Sequence, residues 1–442
     1  MNKLGKKNTV LVSFMLFSLF FGAGNLIFPP FLGQMAGENM PIALLTFLIT
    51  AVLLPVLGVL VVAKFGGLDV LAGHVNKYFA IAFTVIIYLA IGPGLGIPRA
   101  ASVPFEMAIA PYLSQDAPLR VYMLLYSAVF FSIATWIALT PSKLVDRIGK
   151  VLTPSLLLLL VFLFISFVAT ATKGVAPAQG EYVENAAIKG FLEGYNTMDT
   201  IAALNFGFVI AATIQSLGVE KKSDMMKQVL KCGFFAGMIL SLVYIMLSVM
   251  GAQTSGVYPV QSNGAWTLRC IVKDVFGEGG AIILALTFTL ACLTTCIGLI
   301  TSISQFFSTL FKKDYKVFVF AIALFSFVVC NFGLNTILSV SVPVLNIVYP
   351  VSIVLIALGL GHKRYENNKY VYPLTIGFTA VESIIYSVNQ LVDPSVHWLN
   401  FLPLETTGLG WVPVALVAFC LALLIDVIVK KATKTETVSY TE

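Results

Sequence analysis

An aspartate within an otherwise apolar stretch is the first residue of this chain that could do chemistry. Asp199 belongs to GYNTMDTIAAL, residues 194–204, and its carboxylate could pair with an ammonium group, a coupling cation or a proton. It could instead cap backbone amides where a helix restarts after Asn196 and Thr197. A charged side chain near the centre of a bilayer costs about 2.5–3.5 kcal/mol, so we expect Asp199 to face a polar cavity.

Two glycines and an asparagine interrupt an apolar segment near the N-terminus, FGAGNLIFPP, residues 21–30. Gly22 and Gly24 permit unwinding, and Asn25 is a good N-cap for a second half-helix that begins near residue 26. Pro29 would then lie in the first turn of that half-helix. Facing helix ends would present carbonyl groups, which suit a cation, and amides, which suit a carboxylate. Close packing of small residues with a proline kink is the alternative.

Hydroxyl groups are concentrated in ACLTTCIGLITSISQ, residues 291–305. Thr294 and Thr295 offer hard oxygens for a sodium ion, while back-bonding to carbonyls one turn earlier is the alternative. Arg99 and Glu106 are seven residues apart and could share a helix face as a gate pair, but an outer-loop ion pair without a transport role is the favoured interpretation. Glu382 lies in a later apolar segment and receives no role.

The elements that position these residues are apolar helices. The chain is 58% hydrophobic and 11% charged, against about 25% charged residues in soluble domains. Apolar runs of about 20 residues match the hydrocarbon core of a bilayer, so the sequence predicts an all-α polytopic membrane protein. We expect about twelve transmembrane helices, near 10–32, 41–63, 78–97, 121–140, 151–172, 191–215, 232–251, 280–303, 316–332, 335–360, 371–392 and 410–430.

Charge fixes the expected orientation and excludes several function classes. With the N-terminus inside, 21 of the 27 Lys and Arg residues lie on that side, so both termini are predicted to be cytoplasmic. The net charge of +6 then needs no nucleic-acid partner. The six cysteines show no metal-binding spacing, and the three histidines are isolated. We therefore expect neither an enzyme nor a resident cofactor.

The interruption at 194–199 lies in the sixth predicted span, five spans after the first. Discontinuous helices at corresponding positions of two halves mark the substrate site of secondary transporters. An offset of five spans makes the two halves run in opposite directions. The pattern therefore predicts one transmembrane domain, 1–442, with inverted repeats at about 8–172 and 189–360 and additional helices at about 371–430. A channel would need pore-lining rings, whereas the paired breaks indicate a single site.

Three motifs resemble the branched-chain amino acid:cation symporter (LIVCS) family of bacteria: GAGNLIFPP, IGPGLGIPRAA at 91–101 and GFLEGYNTMDTIAAL at 190–204. The resemblance extends over essentially the whole chain. It implies a LeuT-like 5+5 inverted repeat with broken helices 1 and 6, in the bacterial inner membrane. It also implies import of leucine, isoleucine and valine with Na⁺ or H⁺. Import of another small neutral amino acid or solute on the same fold is the alternative.

The resemblance to LeuT-like transporters also implies roles for individual residues. Amides near Ala23 and Gly24 would receive the substrate carboxylate, and the carbonyls of Ser18 and Phe21 would face a sodium ion. The expected partners are a small amino acid and membrane lipid. The match at the second interruption is looser, and Asp199 has no counterpart in it, so the choice between sodium and proton coupling stays open. The predicted substrate-binding residues are Ala23, Gly24, Asn25, Tyr195, Asn196, Thr197 and Asp199, and the implied sodium ligands are Ser18, Phe21, Ala291, Thr294 and Thr295.

Overall fold

All regular elements of the described chain are helices. The computed structural model describes residues 3–114, 116–140, 145–392 and 398–439, and no strand occurs within these ranges. The all-α class predicted from the sequence is therefore confirmed. The helices are α1 (Lys6–Phe20), α2 (Ala23–Ala36), α3 (Met40–Leu48), α4 (Leu54–Phe65), α5 (Leu68–Ala72), α6 (Lys77–Leu89), α7 (Gly96–Ala108), α8 (Leu119–Ala138), α9 (Thr153–Thr170), α10 (Tyr182–Glu193), α11 (Asp199–Ser216), α12 (Lys222–Gln253), α13 (Gly264–Phe276), α14 (Gly280–Phe311), α15 (Tyr315–Cys330), α16 (Leu334–Gly361), α17 (Val371–Val392) and α18 (Trp411–Ser439).

The chain divides into two compact units. The larger unit comprises Met1–Lys64 with Ile87–Ser341, and the smaller comprises Phe65–Ile86 with Val342–Glu442. In the larger unit α2 packs against α12 and α13, while α14 packs against α1 and α7. In the smaller unit α17 packs against α18. The candidate site described below lies entirely within the larger unit.

Length and hydropathy identify the helices that can cross a membrane. Within the described residues, nine helical stretches are long and apolar enough, and the bent pair α10–α11 makes a tenth. Ala23–Phe65 is a single stretch in this count, although the sequence pattern divides it between two spans. α15 is apolar but shorter. A multi-span helical membrane protein is therefore established, and the exact number of twelve spans stays a prediction.

α1 and α2 are separated by two residues in extended conformation. Phe21 has ψ 94°, and Gly22 has φ −125° and ψ −154°. The Gly22 N–H donates to Asn25 Oδ1 at 2.8 Å. Asn25 is the third residue of α2, so the prediction that it is the N-cap is wrong. Its side chain instead reaches back to the amide that precedes the helix, as the third residue of a capping box does.

The two prolines of α2 also lie deeper in the helix than the sequence predicted. α2 begins at Ala23, which makes Pro29 and Pro30 its seventh and eighth residues rather than part of its first turn. A proline has no N–H to donate to the carbonyl four residues earlier. The carbonyls of Asn25 and Leu26 therefore lose their usual helical donors. The backbone close to the α1–α2 junction is correspondingly richer in acceptors than a regular helix.

The chain bends by 46° between α10 and α11. A short 3₁₀ turn, Gly194–Thr197, ends α10, and Met198 has a left-handed backbone with φ 69°. Asp199 is then the first residue of α11. A Cβ at Gly194 would lie 1.8 Å from Thr50 Oγ1, so only glycine allows the turn to approach the π-helical segment between α3 and α4. The start of the bend thus packs closely against the side chain of Thr50 and the carbonyl of Phe47.

α2 is packed closely on two sides through glycines. A Cβ at Gly33 would lie 2.0 Å from the Ser248 carbonyl oxygen of α12, and a Cβ at Gly264 would lie 1.8 Å from the Ile27 carbonyl oxygen. Gly264 is the first residue of α13, and the side chain of the N-cap Asn263 accepts hydrogen bonds from the amides of Ala265 and Trp266. The sequence pattern placed no helix in this connection. α13 therefore packs against α2, the helix that follows the first interruption and carries Asn25.

Candidate substrate and cation site

A small cavity lies between the α1–α2 junction and the α10–α11 bend. Its volume is about 30 Å³, room for one or two water molecules. Ile91, Leu299 and Ala202 contribute apolar walls, Arg99 contributes a basic side chain and Asp199 contributes an acidic one. The other lining residues are Phe20, Gly22, Ala23, Gly24, Asn25, Gly96, Ala100, Thr197, Met198 and Thr295. The cavity therefore joins the two helix interruptions that the sequence singled out.

Asp199 is tied to α2 and α12 by a buried hydrogen-bond network. Its side chain Oδ2 accepts from Asn25 Nδ2 at 2.6 Å and from the Tyr244 hydroxyl at 2.8 Å. Asn25 Nδ2 also donates to the Tyr244 oxygen. Asp199 is only 1% exposed. Hydrogen bonds to an ionised carboxylate are about twice as strong as neutral ones, so these two donors favour the ionised form of Asp199.

The Arg99 side chain reaches the α10–α11 bend from α7. Nη1 donates to the Asn196 carbonyl at 3.2 Å, and Nη2 donates to the Thr197 carbonyl at 3.5 Å. Arg99 is 5% exposed and lies in the apolar stretch Lys77–Glu106. The expectation of an outer-loop position is therefore wrong. Glu106 accepts the Leu334 N–H at 2.8 Å, so the two members of the suggested gate bind different partners in the described structure.

Four of the five implied sodium ligands come together where α1 meets α14. Thr294 Oγ1 is 3.1 Å from the Ser18 carbonyl oxygen and 2.9 Å from that of Ala291. Thr295 Oγ1 is 3.2 Å from the first and 3.4 Å from the second. The bonds to Ala291 are the back-bonding within one helix that the sequence allowed. The bonds to Ser18 cross between helices, which back-bonding does not explain.

The fifth implied ligand, Phe21, is placed by other contacts. Its N–H donates to the Phe17 carbonyl at 2.8 Å, and its ring lies near those of Phe17 and Tyr244. Thr295 connects the oxygen cluster to the cavity, because its Oγ1 would lie 3.0 Å from a Cβ at Gly22. The oxygen cluster and the charged cavity are thus adjacent.

The implied substrate residues divide into two groups. Ala23, Gly24, Asn25, Thr197 and Asp199 all line the cavity. Tyr195 and Asn196 are absent from the described cavity wall. The Tyr195 ring packs edge-on against Phe191 at 5.6 Å, and the Asn196 side chain donates to Glu193 Oε2 at 3.1 Å. Asn196 is nevertheless connected to the site through its backbone carbonyl, which Arg99 binds.

Sequence reasoning missed Tyr244 at the site and named Arg99 only as a member of a possible gate pair. Tyr244 lies in the middle of α12, where its fully buried ring packs edge-on against Phe47 at 5.3 Å. A single tyrosine in an apolar span carries no positional signal. Arg99 did carry one, since an arginine eight residues beyond the start of IGPGLGIPRAA follows a glycine-rich, apolar run.

The fold defines the class of protein. Mhp1, a nucleobase-cation-symport-1 family transporter in a closed conformation, matches with a TM-score of 0.59 at 14% identity, over 96% of this chain and 93% of that one. A manganese transporter from Eremococcus coleocola gives 0.54 at 13% identity over 94% of both chains. The chain therefore has the LeuT-like fold of these membrane transporters.

Sequence comparison identifies the family. The chain belongs to the branched-chain amino acid transport protein family, whose model matches residues 5–429. It is 38% identical to the branched-chain amino acid permease BraB of Bacillus subtilis, over 93% of this chain and 94% of that protein. It is 39% identical to the branched-chain amino acid transport system 2 carrier protein of Pseudomonas aeruginosa, over 94% and 95%. The family resemblance and the expectation of a transporter rather than an enzyme are confirmed.

Proposed function

We infer that this protein is a secondary active symporter that imports leucine, isoleucine and valine across a bacterial inner membrane. The observation that carries the proposal is the cavity between two helix interruptions, where Arg99 supplies a guanidinium and Asp199 a carboxyl group beside apolar walls. An amino acid zwitterion with an aliphatic side chain complements this lining, because it carries a carboxylate, an ammonium group and an apolar surface. The bacterial relatives are a branched-chain amino acid permease and a branched-chain amino acid carrier protein, which supports the same substrate class.

The substrate would lie across the two interruptions. The first amides of a helix have no intrahelical acceptor, so those near Ala23 and Gly24 would bind the substrate carboxylate. Asp199 would bind the ammonium group, and Ile91 and Leu299 would contact the aliphatic side chain. One methylene in an apolar pocket is worth about 1–3 kcal/mol, so the three substrates would differ modestly.

Alternating access would follow from the architecture. Twelve spans, arranged as inverted repeats of about 8–172 and 189–360 with broken helices 1 and 6, would rock around a fixed site. The helices at about 371–430 would belong to the same transmembrane domain but to neither repeat. The present cavity is smaller than a leucine side chain, so binding requires the walls to separate. Both termini would be cytoplasmic because Lys and Arg accumulate on that side.

Sodium is the coupling ion that the oxygen cluster favours. The hydroxyls of Thr294 and Thr295 and the carbonyls of Ser18 and Ala291 provide hard oxygens at the end of α1, where helix carbonyls are directed toward the break. Binding there would join α1 to α14 beside the substrate cavity. Proton coupling is a second candidate, because Asp199 is a buried carboxylate in the same cavity.

Uptake by purified protein in liposomes tests the proposed function. We expect saturable, concentrative leucine uptake that valine and isoleucine inhibit and that requires an imposed cation gradient. One charge moved through about 100 mV supplies about 2.3 kcal/mol, equivalent to roughly fiftyfold accumulation. Uptake that never exceeds equilibration would contradict active transport. Inhibition by other small neutral solutes but not by branched-chain amino acids would favour the alternative substrate.

A further inference from the structure

A buried arginine inside a membrane span requires a physical explanation. Charged side chains within spans are costly and usually face a cavity or bind one another. Arg99 lies in the apolar stretch Lys77–Glu106, is 5% exposed, and lines the same cavity as Asp199. The proposed function uses Arg99 as one side chain of the cavity but does not say which group of the substrate it binds.

The guanidinium lies beside Gly24, the second residue of α2. A Cβ built on Gly24 would lie 3.0 Å from Arg99 Nη2, 3.1 Å from Thr197 Cα and 3.2 Å from the Asn196 carbonyl oxygen. The missing side chain at Gly24 is what allows α7, α2 and the α10–α11 bend to meet here. Positive charge from the guanidinium and amide dipoles from α2 therefore converge on one small volume.

The hydrogen bonds described for the guanidinium are modest ones. Its acceptors at the bend are neutral backbone carbonyls at 3.2 and 3.5 Å, whereas an arginine–carboxylate pair has distances of about 2.7–2.9 Å and often two parallel bonds. A carboxylate entering the cavity would thus be a stronger partner than the two carbonyls. Exchange of partners would also release the bend, because these bonds tie α7 to residues 196 and 197.

We propose that Arg99 binds the carboxylate of the transported amino acid, and that this exchange frees the α10–α11 bend from α7 as the cavity enlarges. The proposal rests on the proposed function, because it assigns one end of the same substrate. In it the guanidinium and the Gly24 amide hold the carboxylate together, and Asp199 holds the ammonium group at the opposite wall. Substrates of this site must therefore carry a free carboxylate.

A purely structural role for Arg99 is the competing explanation. If Arg99 only stabilised the bend, replacing it would lower the affinity for every ligand by the same factor. An arginine that binds the carboxylate would affect only ligands that have one. Leucinol, which replaces the carboxylate of leucine with a hydroxymethyl group, separates the two explanations.

The experiment measures equilibrium binding of leucine and leucinol to purified full-length protein in nanodiscs. The wild type should bind leucine at least about thirtyfold more tightly than leucinol, the lower end of what loss of one buried charged partner causes. Arg99→Gln should lower the affinity for leucine by about the same factor and leave the affinity for leucinol nearly unchanged. Arg99→Lys should retain part of the leucine affinity as a point charge.

Arg147→Gln is the matched control. Arg147 also donates to a backbone carbonyl, that of Ile137 at 3.2 Å, but it is not among the described residues that line the cavity. The substitution should leave both affinities unchanged. Equal binding of leucine and leucinol by the wild type would overturn the proposal, even if the Arg99 variants fail to fold. Parallel losses for both ligands in Arg99→Gln would also overturn it. A wild type that binds no branched-chain amino acid would instead refute the proposed function.

Discussion

Replacing Thr294 with valine tests the proposed coupling ion most directly. Valine keeps the shape of threonine and removes the hydroxyl that lies 3.1 Å from the Ser18 carbonyl oxygen and 2.9 Å from that of Ala291. The side chain is fully buried, so water cannot replace the lost oxygen without a new cavity. If sodium binds there, the variant loses one ligand while α1 and α14 keep their packing.

The expected magnitude follows from the energy of a buried bond to a charge. Such bonds contribute about 1.5–3 kcal/mol, so the sodium concentration for half-maximal uptake should rise about ten- to hundredfold. Reciprocal coupling of about 1–3 kcal/mol between sodium and leucine should also change leucine affinity by roughly 5–150-fold at fixed sodium. Loss of the neutral bond alone should destabilise the protein by only about 1 kcal/mol.

The assay is leucine uptake against sodium concentration in liposomes, at fixed pH and membrane potential. Thr287→Val is the matched control, because Thr287 is equally buried on α14 and its hydroxyl donates at 2.7 Å to Ile283 of its own helix. Thr301→Val, about two turns beyond Thr294, should also have little effect. Thr295→Val should resemble Thr294→Val.

Two results would refute this reasoning. If leucine uptake by the wild type does not depend on sodium, the coupling ion is a proton, and none of the implied ligands binds sodium. Wild-type sodium curves for the valine variants at both Thr294 and Thr295 would show that these hydroxyls serve only as hydrogen-bond donors between and within helices.

Three further substitutions test other parts of the site. Gly24→Leu should abolish uptake, since a side chain there meets atoms at 3.0–3.2 Å, whereas Gly377→Leu, with nothing within 4 Å, should insert and leave uptake intact. Asp199→Asn should collapse accumulation in the same liposomes, and unchanged concentrative uptake would indicate a helix cap instead. Gly264→Ala should cost about 1–3 kcal/mol through overpacking, because its Cβ would lie 1.8 Å from the Ile27 carbonyl oxygen. An unchanged melting temperature would contradict that contact.

The signals that predict the two interruptions are local. Gly22, Gly24 and Gly194 stand inside apolar segments, where unwinding must have a structural reason. The same local reasoning was wrong about where α2 begins. Asn25 is a favourable N-cap residue, but its amide also binds Asp199 and Tyr244, and only the third position of the helix allows those contacts with the bond to Gly22.

Composition, charge and apolar periodicity by themselves determined the helical class, the membrane location and the expected orientation, because each depends on the transfer of a segment from water to lipid. The residue types and spacings also indicated Asp199 and the pair Thr294–Thr295. Only the tertiary structure decided their partners. Asp199 meets Tyr244 and Asn25 because α2, α11 and α12 pack together, and Arg99 turns inward because Gly24 leaves room for its guanidinium. Such contacts join residues distant in sequence, so no local pattern records them.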